Sequence, residues 1–197
     1  LSASQKGFDK LDVGEFYSPT VLPFTDQDQT YYVSNIKQDY TGAVEPDDTA
    51  IGDGWSRPLR TVAEALRRVA KNNAGHAVIR LPYNGDFNED ILIEGYSGPG
   101  TITIIGGDAN YQSKLSGSIK VKDTSLAVRV EYLNIFAGTN VSMNDAVIDT
   151  ERATDVVISR CKIQGWSNTP YAVAARKGSN VEVEYCQFQS VDRGVAA

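Results

Sequence analysis

The densest carboxylates in this chain fall in "GDFNED", where Asp86, Glu89 and Asp90 lie within five residues. Glycoside cleavage uses two carboxylates about 5–10 Å apart across a sugar, which Asp86 with Glu89 or Asp90 would reach from a loop. The same oxygens would suit a calcium ion. A solvated turn between structural elements is the competing reading, and it carries more weight. The acids of "EPDD" at 45–48 read the same way. Sugar faces stack on rings, and "GWSNTPY" at 165–171 puts Trp166 and Tyr171 in one long loop, the usual place for binding residues on a rigid scaffold. Packing of those rings on the protein is the plainer alternative. The two cysteines, Cys161 and Cys186, and the one histidine, His76, are spaced neither as a zinc site nor as a nucleophilic triad. No phosphate-binding or dinucleotide-binding loop is present, so no cofactor and no metal is expected.

These residues are positioned by a repeat. "VRVEYLNI" at 128–135, "VVISRCKI" at 156–163 and "VEVEYCQF" at 181–188 share one pattern of apolar positions. Each alternates for two apolar residues, skips a beat, then continues: Val128, Val130, Leu133 and Ile135; Val156, Ile158, Cys161 and Ile163; Val181, Val183, Cys186 and Phe188. A weaker copy, "ITIIGGDA" at 102–109, keeps Ile102 and Ile104 but has Gly107 and Ala109 at the last two places. The copies start 25–28 residues apart, a solenoid period. At the skipped beat stand Glu131–Tyr132, Ser159–Arg160 and Glu184–Tyr185. Two neighbours pointing outward there reset the parity, so that strands on both sides of a corner face one core. Further apolar segments at 91–93, 119–121, 146–148 and 172–175 supply another strand per turn. Hence the expected fold is all-β, a single-stranded right-handed parallel β-helix. A β-sandwich is the alternative, and the lack of two-residue hairpin signals weighs against it. In this register Cys161 and Cys186 stack below Leu133 as buried, reduced, space-filling thiols, because parallel Cβ vectors hold them too far apart for a disulfide.

Upstream, "TYYVSN" at 30–35 reads as a strand, and "TVAEALRRVAKNNAG" at 61–75 as a helix. Thr61 and Glu64 suggest a capping box, Val62, Ala65, Leu66, Val69 and Ala70 an apolar stripe, and Gly75 a terminator. "AVIRLP" at 77–82 then opens the first coil. The run from "YYVSN" through "SRPLRTVAEAL" and "AVIRLPYNGDFNEDILIEG" to "ITIIGG" resembles the entry segment of pectate-lyase-like right-handed β-helices, over about residues 30–189. In such proteins an N-terminal helix caps the solenoid. Many that carry it are similar to bacteriophage tail spikes and tail fibres; others are secreted polysaccharide lyases and hydrolases. Lyases of this kind pair calcium-binding acids with a basic residue on one outward face. Arg129 and Arg160 lie near Glu131, Glu182 and Glu184, yet they match no lyase motif, so the resemblance assigns no catalytic residue.

Three regions follow: an extended arm at 1–29, an entry strand, loop and capping helix at 30–76, and coils at 77–197 that stop in mid-repeat, as an N-terminal part of a longer chain would. The formal charge of −6 argues against nucleic acid as a partner, and no apolar run is long enough for membrane insertion. The expectation is a structural, receptor-binding component of a phage tail: a homotrimer in the virion that joins other tail proteins through 1–29 and engages host surface polysaccharide. A secreted or virion-borne polysaccharide lyase or glycoside hydrolase is the alternative. Host, receptor and any cleavage reaction are not readable from the sequence.

Overall fold

A computed structural model describes residues 24–36, 44–137, 146–165, 169 and 171–196. The described chain is all-β: a parallel β-solenoid of about four turns with one short helix. Three faces run along it. The first stacks Gln29–Tyr32, His76–Arg80, Thr101–Ile105, 127–131, 155–159 and Val181–Glu184. The second stacks Asp86–Phe87, Ser113–Ser116, Leu133–Phe136, Lys162–Gln164 and Gln187–Gln189. The third stacks Ile91–Glu94, 119–122, 146–151, Tyr171–Arg176 and Arg193–Ala196.

The register is the one the repeat requires. Ile102 pairs with Val128, Val128 with Val156, and Val156 with Val181. Alternate residues of each strand point inward, so like side chains form columns. Ile79, Ile104, Val130 and Ile158 make one column on the first face, all fully buried; Phe87, Leu115, Ile135 and Ile163 make one on the second. Each such side chain contributes about 1.5–3 kcal/mol through burial.

The skipped beat is one residue in the left-handed region. Tyr132, Arg160 and Tyr185 each have φ 54°. One αL residue turns the backbone and restores inward parity, at about 1–2 kcal/mol for a residue with a Cβ. A second column of αL residues, Asp123, Arg152 and Lys177 with φ 49–52°, turns the chain from the third face to the first. That column neutralises itself. Arg152 binds Asp123 and Glu151, and Lys177 Nζ lies 2.7 Å from Glu151.

The weak copy differs from the sequence reading. Gly107 and Ala109 do not occupy the inward places; Ser113 and Leu115 do, paired with Leu133 and Ile135. The chain makes an excursion at 107–112, closed by an antiparallel bridge between Gly107 and Gln112. Asp108 Oδ1 holds the turn by accepting from the Asn110 and Tyr111 amides at 2.8 and 3.0 Å. Gly106 stands at the corner, where any Cβ would strike the side chain of Leu133.

The helix spans Val62–Arg68 and ends well before Gly75. Val69 is buried in an extended conformation, and Asn72–Asn73 form a short strand against Phe24–Thr25. Asn is a poor helix former, so tertiary pairing wins. Half of the capping box is present: Thr61 Oγ1 accepts from the Glu64 amide at 3.1 Å. Its reciprocal half is supplied by Asp48, whose Oδ1 accepts from the Thr61 amide at 2.9 Å. Glu64 turns instead to Arg67 and Arg68, both at 2.7 Å. Hydrogen bonds from Arg67 and then Arg68 hold its carboxyl at about 2, against an ordinary 4.5. A depressed carboxyl stabilises the fold above its unfolded value and loses that contribution as pH falls toward 2. Glu64→Gln therefore flattens the fall in melting temperature between pH 4.5 and about 2; an acid limb unchanged by this variant would refute the pairing.

Cys161 is buried and Cys186 only partly covered, so the expectation of two buried thiols holds for the first alone. Both are reduced. A hydrogen bond with Cys186 and burial push the Cys161 thiol up, while the same bond lowers that of Cys186. The partial exposure of Cys186 has a simple origin. Val181–Glu184, Gln187–Gln189 and Arg193–Ala196 are each paired on one side only among the described residues, and Val195 is half exposed.

Candidate functional site

The three acids of "GDFNED" serve three different partners. Asp86 binds Lys114 Nζ at 3.1 Å and sits opposite it in the second face. Glu89 accepts from the first amides of the helix, Val62 at 3.0 Å and Ala63 at 3.2 Å. Burial pushes its carboxyl up, partly offset by those two bonds. Asp90 Oδ1 takes the amide and hydroxyl of Ser118, both at 2.8 Å. Among the described residues no group of three or more His, Cys, Asp or Glu is arranged for a metal ion. Trp166 lies outside the described residues. Tyr171 is half buried on the third face, with the Arg193 guanidinium 5.9 Å from its ring.

Aromatic side chains gather elsewhere, along the corner between the first and second faces. The excursion at 107–112 divides this corner into two hollows. The first has a volume of about 510 Å³ and is lined by Tyr32, Trp55, Arg80, Tyr83, Asn84 and Asp108. Tyr32 and Trp55 meet edge to face, with centroids 4.8 Å apart and planes at 76°. Tyr83 and Tyr111 meet at 6.0 Å and 63°. Their exposures are 61% and 63%. Rings this open add little to the core, yet each pair is held in a preferred geometry.

The second hollow, about 360 Å³, is lined by Gln112, Tyr132, Arg160, Lys162, Tyr185 and Gln187, with Cys161 beneath. The Arg160 guanidinium lies 5.6 Å from the ring of Tyr132 and 5.4 Å from that of Tyr185, one coil to either side. Gln112 Nε2 donates to the Arg160 carbonyl at 2.8 Å and ties the excursion to this corner. The two hollows thus form one track parallel to the solenoid axis. From Tyr32 to the level of Glu184 the first face makes five interstrand steps, roughly 24 Å at about 4.8 Å each.

The corner residues Tyr132, Arg160 and Tyr185 stand where the repeat placed them. Tyr32, Trp55, Arg80, Tyr83 and Tyr111 were not singled out by sequence. Each is a solitary ring or charge in its own segment, and coiling alone brings them together. A usable signal was the corner position itself, which carries large side chains in three consecutive coils where glycine would be easiest.

No family model, curated protein or solved structure matches the chain.

Proposed function

We propose that this chain is a glycan-binding β-solenoid module, the N-terminal part of a bacteriophage tail spike or tail fibre that engages host surface polysaccharide. The observation that carries the binding reading is the track of rings, Tyr83, Tyr111 and Tyr185 exposed and Tyr32, Trp55 and Tyr132 half-buried, interspersed with arginine, asparagine and glutamine along one solenoid corner. Sugar rings present apolar faces that stack on such aromatics and hydroxyls that pair with the amides and charges between them. A linear polymer laid along the axis would meet the same kind of surface at each coil. The coil is taken as right-handed, the hand of nearly all parallel crossovers. In this reading Val62–Arg68 is the cap of the N-terminal end: Val62, Ala65 and Leu66 are buried, and Tyr96 Oη donates to the Leu66 carbonyl at 2.6 Å. A capped end leaves no apolar core or strand edge exposed.

The tail setting rests on the resemblance of the entry segment alone. It implies a homotrimer, with residues 1–29 docking on other tail proteins. Light scattering after size exclusion tests the assembly: a mass near three times 21.4 kDa supports it, and a monomer removes it. The cleaving alternative calls for two carboxylates facing one sugar, and Asp86, Glu89 and Asp90 are committed to other partners. Binding is tested on an array of bacterial surface polysaccharides. Retention of a small set of glycans is the expected outcome, and retention of none would end the reading.

A further inference from the structure

We propose that the second hollow is a subsite for an anionic substituent of the bound glycan, a sugar carboxylate or a phosphate ester, held by Arg160 and Lys162 between the rings of Tyr132 and Tyr185. This rests on the reading that the track takes a glycan, and it narrows the class to acidic polymers.

Charge gives the first support. The chain is net negative, and many cations along the solenoid are matched to acids: Lys114 to Asp86, Lys122 to Glu94, Arg152 to Asp123, Arg176 to Asp149 and Lys177 to Glu151, whereas Arg80, Arg129 and Arg193 are in no ion pair among the described residues. Among the described residues neither Arg160 nor Lys162 has a carboxylate in ion-pair contact. Both line the same hollow. Glu131 and Glu184 occupy the preceding position in the neighbouring coils, on the first face, without pairing to either cation. The lining of the hollow itself thus holds two cations and no acid, which favours an anion over a cation there.

Backbone strain gives the second. The two αL corner columns differ. Asp123, Arg152 and Lys177 combine with Glu151 to form a closed ion-pair chain, which explains their side chains structurally. Tyr132, Arg160 and Tyr185 form no ion-pair chain, only a ring–guanidinium stack. They keep large side chains at φ 54° in three successive coils, and strain held repeatedly at one place points to use.

Geometry gives the third. The flanking tyrosines restrain the guanidinium plane, and neither ring competes for its N–H donors. A planar fork held in this way suits the two oxygens of a carboxylate or phosphate. Gln187 and Gln112, the latter tied to the Arg160 carbonyl, complete the polar lining.

The test is an array of neutral, uronate-bearing and phosphate-bearing bacterial glycans, probed with wild type, Arg160→Asn, Arg160→Lys and Tyr83→Ala/Tyr111→Ala. Asn tolerates the αL conformation, so the melting temperature of Arg160→Asn should equal or exceed that of wild type. Acidic glycans should dominate the wild-type signal. Arg160→Asn should weaken them by about ten- to a hundredfold and weaken any neutral binder far less. Arg160→Lys should restore part of the loss. The uronate and phosphate arms identify the anion. Neutral glycans bound through Tyr83 and Tyr111 with no acidic preference would overturn the anionic subsite alone. Acidic glycans bound equally by the folded Arg160→Asn variant would also overturn it. Absence of any bound glycan would overturn the glycan reading and this proposal together.

Discussion

Deleting Tyr132 should unfold the solenoid, whereas Tyr132→Gly should leave it folded. The deletion joins Glu131 directly to Leu133 and removes the one residue that resets parity. Leu133 and Ile135, both fully buried, would then face solvent, and Asn134 and Phe136 would face the core. Exposing two such side chains costs about 1.5–3 kcal/mol each before any mismatch with neighbouring coils is counted. A domain stable by about 5–15 kcal/mol loses a large share of that stability through one missing residue. Glycine keeps the corner and relieves about 1–2 kcal/mol of αL strain. It gives up the contact with Arg160, worth about 0.5–1 kcal/mol at an exposed site. The net change should stay within about 1 kcal/mol. Thermal melts followed by circular dichroism separate the two variants. A deletion that melts like wild type would mean that Tyr132 does not set the parity of the strand after it.

The second large effect falls on binding rather than folding. Tyr83→Ala/Tyr111→Ala removes the most exposed ring pair of the track. Both side chains are more than half exposed, so the melting temperature should scarcely move. Each ring contributes about 0.5–1.5 kcal/mol in stacked contact beyond its area, so losing both should weaken a bound glycan about tenfold or more. Titration calorimetry with the best array ligand reads this directly. Undiminished affinity in the double variant would place the ligand elsewhere, and a collapse in stability would show that the rings serve the fold.

The repeating part of the fold was legible because burial is periodic. Ile102, Val128, Val156 and Val181 recur at nearly constant spacing, and only a stack of coils puts them in one column. The skipped beat was legible as a corner but not as αL backbone, since Tyr and Arg do not advertise positive φ as glycine does. The excursion at 107–112 was hidden by chance: Gly107 and Ala109 are small enough to pass for inward residues. The early end of the helix was hidden too. Helix periodicity continues to Ala70, but the short strand at Asn72–Asn73 and the extended Val69 are set by tertiary pairing. Glu89 looked like a site residue because it stands among acids, when its oxygens serve helix amides that follow Thr61 in the sequence. The track itself was beyond sequence reading. Its rings span residues 32 to 185, and their convergence depends on how many residues each coil inserts.

Affinity for surface polysaccharide, measured side by side on wild type and Tyr83→Ala/Tyr111→Ala, decides whether the corner track binds a glycan chain. A glycan that wild type retains and the equally stable double variant releases, with affinity lowered about tenfold or more, is the predicted result. No retained glycan, or one held equally by both proteins, would contradict it.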